Sequence, residues 1–128
     1  MSIITEIKET SFSTRKYSDY DGFIISLDNG ESIKMGISND QSCCENWGYF
    51  MTNDNQSEFI GAKVLSVHIV DECLNVEKAP DIYEGGVMFV NIETDRGTLQ
   101  FTAYNEHNGY YSHEAVVVSG FINESEYL

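Results

Sequence analysis

The stretch of this chain with the most chemical potential is Cys43-Cys44-Glu45, followed two residues later by Trp47, the only tryptophan. Thiolates, imidazoles and carboxylates are the ligands that zinc prefers, about four to a site. Adjacent residues of a strand point to opposite faces, so both thiols can reach one metal only where the backbone turns. The preceding residues 38–42 are turn-forming. A zinc site could therefore be assembled from separate loops, with Cys43 and Cys44 on one and His107 on another.

Two other chemistries use the same residues. Cys44, His107 and either Glu45 or Asn105 could be written as a nucleophile, a base and an orienting group. Any chain with three cysteines and three histidines allows such a combination, and the sequence has no nucleophile-elbow, P-loop or dinucleotide-binding motif. We therefore expect that the protein is not an enzyme. Two buried, unreactive thiols are the remaining interpretation, because unpaired cysteine is among the most buried residue types.

A second distinctive stretch is Asn105–Ser112, with the sequence NEHNGYYS. Asn108-Gly109 is typical of a tight turn, and the two tyrosines after it, Tyr110 and Tyr111, should point to opposite faces of a strand. Together with Trp47 and Tyr49 they could form an aromatic platform that stacks on a base or receives an arginine from a partner. The alternative is that all four are ordinary core aromatics of a β domain.

The elements that must position these residues are mostly strands, because apolar residues recur with a period of two. Hairpins are predicted around Asp28-Asn29-Gly30 and around Asp95-Arg96-Gly97, where glycine supplies the left-handed backbone of a short loop. A strand is predicted over 63–74, with Leu65, Val67 and Ile69 on one face.

Helix signals in the sequence are weak. Residues 2–10 could form a short helix or a first strand, and residues 57–60 resemble one helical turn. The sequence predicts a single domain over residues 1–128 that is mainly β, with α+β possible. We expect six to eight strands in an antiparallel twisted sheet or small barrel built of hairpins, with at most one or two short helices.

Charge is the strongest global feature. The 128 residues include 21 acidic and 7 basic side chains, for a formal net charge of −14, and the acids recur from Glu6 to Glu126. This disfavours direct binding to nucleic acid or to an anionic membrane, since both require clustered Lys and Arg. It favours a basic protein partner. No signal peptide or membrane span is predicted, so we expect a cytoplasmic location, which would be the host cytoplasm if the protein is phage-encoded.

The order of four motifs resembles a small domain family of unknown function found in phages and bacteria. The motifs are Cys43-Cys44-Glu45, Ile60-Gly61-Ala62, Thr94–Gly97 and Asn108–Ser112, and the likeness covers roughly residues 22–118. Members of that family often carry a histidine shortly before the cysteine pair and a serine before the NGYYS asparagine. Here residues 37–41 contain no histidine, and His107 stands at the serine position. The resemblance implies a phage context but no reaction.

Charge, size and this resemblance together predict an acidic phage-type inhibitor. It would bind a host defence enzyme, such as an RNA-guided CRISPR nuclease, at its basic nucleic-acid-binding face. The acids expected to contribute lie in loops and turns, with two tyrosines as candidate anchors: Asp54, Glu58, Asp71, Glu72, Glu77, Asp81, Glu84, Tyr110 and Tyr111. The alternative prediction is a small-ligand or zinc-binding module that uses the CCE and NGYYS loops, with Cys43, Cys44 and His107 as metal ligands.

Overall fold

The computed structural model describes residues 2–15, 18–39, 46–53, 55–73, 85–106, 114–120 and 123–128. Strands hold 74% of these residues, which confirms the prediction of a mainly antiparallel β fold. The strands are β1 (Ile4–Arg15), β2 (Ser18–Leu27), β3 (Ser32–Ser38), β4 (Asn46–Met51), β5 (Val64–Val70), β6 (Gly85–Thr94), β7 (Gly97–Glu106), β8 (Glu114–Val118) and β9 (Asn123–Tyr127). A 3-10 helix, Gln56–Phe59, lies between β4 and β5. In this part of the chain, no helix has the length and apolar character needed to cross a membrane.

The strands form two antiparallel sheets. One has five strands in the order β1-β2-β3-β8-β9, and the other has four in the order β4-β7-β6-β5. The sequence predicted an antiparallel twisted sheet or small barrel with six to eight strands. The described strands are nine, and they remain two separate sheets that do not close into a barrel. The number of strands differs because β4 and β9 were not predicted.

The structure confirms both hairpins that the turn residues predicted. Gly30 and Gly97 have φ of 86° and 121°, the left-handed conformation that both hairpins require. Of the two interpretations for residues 2–10, the strand is right, since β1 pairs with β2 along its length. The predicted helical turn at residues 57–60 is present as the 3-10 helix.

One predicted strand face is wrong because β5 contains a bulge. The register with β6 shifts between Val64 and Ser66, so both Val64 and Val67 are buried while Leu65 is 56% exposed. The predicted face of Leu65, Val67 and Ile69 is therefore broken at its first member. The strand also ends at Val70 instead of continuing to residue 74.

The main core lies between the sheets, and β1 crosses the four-stranded sheet diagonally. At one end Ile3 bridges to Lys63 next to β5, and the Ile4 amide donates to the Ala62 carbonyl at 2.9 Å. Six residues after Ile3, Glu9 reaches Tyr49 on β4, the opposite edge strand of that sheet. The two sheets are thus packed at an angle, with apolar side chains of both filling the space between them.

The five-stranded sheet has a second, smaller cluster on its outer face, the face turned away from the other sheet. Phe12, Tyr20 and Val116 are buried there, and their rings and methyls pack together. Gly36 makes room for this cluster, because a Cβ added to it would lie 2.9 Å from the Phe12 ring. Tyr20 also donates a hydrogen bond to the Glu114 carboxylate. We call Phe12, Tyr20 and Val116 the outer cluster.

Candidate functional site

Three of the predicted partner-binding residues can be placed. Glu58, Asp71 and Glu72 are all exposed, as a contact surface requires. Glu58 belongs to the 3-10 helix before β5, whereas Asp71 and Glu72 follow the end of β5. A strand of this length spans roughly 20 Å, so these acids form two separate groups. The other predicted members lie outside the described residues: Asp54, Glu77, Asp81, Glu84, Tyr110 and Tyr111.

The Glu58 turn is held by Arg96 from the tip of the β6–β7 hairpin. The Arg96 guanidinium donates to the backbone carbonyl oxygens of Glu58 and Ile60 at 3.0 and 2.8 Å. Its positive charge therefore lies against backbone oxygens, and the Glu58 carboxylate instead accepts a hydrogen bond from Asn55. This acidic turn is fixed in place while its carboxylate still faces solvent.

The Asp71–Glu72 segment folds back over the outer face of the four-stranded sheet. Gln100 on β7 is fully buried, and its side-chain amide donates to the Glu72 carbonyl at 2.9 Å and to Asn91 Oδ1 at 2.7 Å. The backbone amide of Gln100 donates to Asn53 Oδ1 at 2.8 Å. These bonds, which we call the Gln100 network, satisfy polar groups that would be costly to bury unpaired.

A shallow groove of about 510 Å³ opens beside the Gln100 network. Its walls are Val70, Asp71, Glu72, Cys73, Asn91 and Gln100. No described lysine or arginine pairs with the carboxylates of Asp71 or Glu72. The groove therefore combines a rigid amide floor with two solvent-facing negative charges at its rim.

A second acidic region lies where β1 passes over β4. The Tyr49 hydroxyl donates to Glu9 Oε2 at 2.9 Å. The pKa of Tyr49 is raised to about 12, mainly by burial and then by the hydrogen bond to Glu9 and the negative charges of Glu9 and Asp21. Two carboxylates thus act on one phenol at this corner of the molecule.

The carboxylates beside this corner are held by short polar side chains. Ser11 Oγ and Asn39 Nδ2 donate to Asp21 Oδ1 at 2.6 and 3.1 Å, and Ser13 donates to Asp19. Hydrogen bonds to a carboxylate are shorter and stronger than those between neutral groups. Asp19 and Asp21, both on β2, were not among the predicted partner-binding acids, because the side chains that hold them come from β1 and from the residue after β3, which the sequence pattern does not show.

Two of the four residues of the predicted aromatic platform can be placed. Trp47 and Tyr49 are partly buried and pack against the main core. Tyr110 and Tyr111 lie outside the described residues. On the outer face of the four-stranded sheet, Phe50 and Tyr104 form a different aromatic pair, with ring centroids 6.5 Å apart. Sequence reasoning missed this pair because β4 itself was not predicted.

The predicted zinc ligands Cys43, Cys44 and His107 lie outside the described residues. Among the residues that are described, no group of three or more His, Cys, Asp or Glu side chains could hold a metal ion. The residues on either side of the two segments are nevertheless neighbours. Asn46 pairs with Glu106 on one side, and Ile37 pairs with Ala115 on the other. Segments 40–45 and 107–113 therefore begin and end at adjacent strands.

Asn105, just inside this end of the sandwich, has an unusual hydrogen-bonding state. The residue is fully buried, and its Nδ2 donates to the Leu128 carbonyl at 3.1 Å. Its Oδ1 is buried and has no hydrogen-bond partner among the described residues. The sequence placed Asn105 in a candidate catalytic triad, but in the structure its amide holds Leu128 against the end of the sheet.

Comparison with known proteins supports the resemblance found in the motifs. No curated protein and no solved structure matches the chain. Residues 2–117, most of the chain, match a protein family that is described as a domain of unknown function, DUF7448. The motif-based expectation was likewise a domain family of unknown function. The protein belongs to the DUF7448 family.

Proposed function

We propose that the protein is an acidic, phage-type inhibitor that binds a basic, nucleic-acid-binding face of a host defence enzyme, such as an RNA-guided CRISPR nuclease. The observation that carries this proposal is the exposure of Glu58, Asp71 and Glu72 on rigidly held turns. Charged groups that are already ordered lose less entropy when a partner binds. A net charge of −14 adds long-range attraction to any surface that normally binds phosphates.

The charges must act collectively under this proposal. An exposed ion pair contributes about 0–1 kcal/mol, so a single substitution is a weak test. The double variant Asp71→Lys/Glu72→Lys should weaken binding by about tenfold, which corresponds to about 1.4 kcal/mol. Raising the salt concentration above about 0.15 M should weaken wild-type binding in the same direction, because the screening length is then below about 8 Å.

The experiment measures binding to a purified RNA-guided nuclease, with and without its guide RNA, and uses a matched control. Glu124→Lys/Glu126→Lys changes net charge by the same amount, but on the exposed edge strand β9 of the other sheet. Loss of binding in the first variant and retention in the control is the expected result. Equal effects would indicate non-specific attraction. Unchanged binding of both variants at low and high salt would rule out the proposed mechanism.

A second candidate function, a small-ligand or zinc-binding module, is favoured by the adjacent strands that flank segments 40–45 and 107–113. Under this proposal Cys43, Cys44 and His107 contribute to one site. Protein purified without chelator should contain about one zinc per chain, and Cys43→Ser, Cys44→Ser or His107→Ala should abolish it. Cys73→Ser, which changes a thiol outside both segments, is the control and should leave the zinc content intact. Wild-type protein without zinc would eliminate the metal-binding form.

A further inference from the structure

Phe50 and Tyr104 stand on the outer face of the four-stranded sheet, apart from both hydrophobic clusters. Phe50 is on edge strand β4 and Tyr104 is on the adjacent strand β7. Their rings are tilted by 55°, and both side chains are partly exposed. Aromatic side chains at the rim of a sheet are enriched in protein interfaces, where they provide large contact area with little loss of side-chain freedom.

Gly48 makes room for the Tyr104 ring. A Cβ added to Gly48 would lie 2.5 Å from the Tyr104 hydroxyl oxygen and 2.7 Å from ring atom Cζ. The ring therefore lies across β4 at the one position of that strand that has no side chain. Because Gly48 pairs directly with Tyr104, the sequence builds this arrangement into the strand register.

A carboxylate stands beside Tyr104, at the end of the ring pair away from Phe50, which pairs with Thr102. Glu106 is two residues beyond Tyr104 on β7, so both side chains project from the same face of the sheet, about 7 Å apart along the strand. Glu106 is partly exposed, and no described residue donates a hydrogen bond to its carboxylate. We call Phe50, Tyr104 and Glu106 the aromatic–acid patch.

We infer that the aromatic–acid patch binds an arginine side chain of the protein's basic partner. This inference rests on the proposed function and gives it a specific contact. A guanidinium is planar and weakly hydrated, so it can stack on an aromatic ring and still donate hydrogen bonds to a carboxylate. An ammonium group is compact and strongly hydrated, so the same patch favours arginine over lysine.

The test uses two defined probes, a nine-residue arginine peptide and a nine-residue lysine peptide. Their affinities for the full chain are measured by calorimetry at about 0.15 M salt. We expect wild-type protein to bind the arginine peptide more tightly than the lysine peptide. Phe50→Leu keeps an apolar side chain but removes the ring, and should weaken arginine-peptide binding about two- to fivefold while leaving lysine-peptide binding nearly unchanged.

A charge-matched pair of variants completes the design. Glu106→Gln removes the carboxylate of the patch, and Glu124→Gln removes one negative charge from β9 as a control. Glu106→Gln should reduce the preference for arginine, whereas Glu124→Gln should weaken both peptides slightly and equally. A melting temperature close to that of wild type shows that each variant is folded. If Phe50→Leu unfolds the chain, the effect of Glu106→Gln on the preference for arginine is the test of the patch.

The outcomes separate this inference from the proposed function. If wild-type protein binds both peptides equally and neither patch variant changes the ratio, the arginine site is overturned while charge-driven binding stands. If wild-type protein binds neither peptide at low salt, the charge-driven mechanism and the patch are both overturned. A preference for arginine that Phe50→Leu and Glu106→Gln remove supports the inference.

Discussion

The outer face of the five-stranded sheet buries an apolar cluster, whereas that of the four-stranded sheet buries hydrogen-bonded polar groups beside partly exposed aromatic rings. In the first, Phe12, Tyr20 and Val116 bury apolar surface against one another. In the second, Gln100 is buried but hydrogen-bonded, and the Thr52 and Thr102 hydroxyls bond at 2.8 Å. The first face thus contributes mainly to folding. The second face carries the groove and the aromatic–acid patch.

This comparison predicts that the largest loss of stability comes from the outer cluster. Tyr20→Ala removes a fully buried ring and should lower the free energy of unfolding by about 3–5 kcal/mol. Tyr20→Phe keeps the ring and loses the hydrogen bond to Glu114, so it should cost about 1 kcal/mol. Urea denaturation followed by tryptophan fluorescence measures both. A loss below about 1 kcal/mol for the alanine variant would contradict the structural role of this face.

The Gln100 network should give a smaller and more local effect. Gln100→Ala leaves Asn91 and the Glu72 carbonyl without their donor and should cost about 1–3 kcal/mol. It should also speed amide hydrogen exchange at Asp71–Cys73, because that segment loses its attachment to the sheet. The control is Thr102→Val, which changes a buried polar side chain on the same strand and keeps its volume. It should leave the exchange at Asp71–Cys73 at the wild-type rate. Equal exchange in all three proteins would show that the segment is held by other contacts.

The smallest effect concerns the Tyr49–Glu9 contact between the sheets. The pKa of Tyr49 is about 12 in the folded state against 10.0 ordinarily, so folding favours the protonated phenol. This contribution is fully present below pH 10 and is lost as pH rises from 10 through 12. Tyr49→Phe should therefore flatten the decline of unfolding free energy across that window. If the free energy of unfolding declined equally in wild type and Tyr49→Phe between pH 10 and 12, the raised pKa of Tyr49 would be contradicted.

What the sequence revealed of the fold depended on contacts between nearby residues. Asn29-Gly30 and Asp95-Arg96-Gly97 specify hairpins through turn geometry, and both were predicted correctly. Strand β9, with the sequence NESEY, has no alternating apolar pattern, and β4 contains a glycine among aromatics. Neither strand carries the local signal that the prediction relied on, and both are defined by the strands they pair with.

The candidate site was less predictable, because its residues are positioned by contacts with strands that are distant in the sequence. The exposure of Asp71 and Glu72 follows from their charge, but the fold-back onto Gln100 depends on a contact with a residue in a later strand. The outward position of Phe50 and the inward position of Tyr49 depend on the register of β4 against β7. A single-residue slip would exchange these faces, and composition does not fix the slip.

The order of strands in the five-stranded sheet has a consequence for how the chain folds during synthesis. Strands β1, β2 and β3 can pair as soon as they are made, but Met35 on β3 must wait for Val117 on β8. Until then, the ribosome-bound chain carries an unpaired strand edge in the middle of its future sheet. Long-range closure of this kind slows folding toward the millisecond-to-second range. The acidic side chains spread along the chain would keep such waiting chains apart by mutual repulsion.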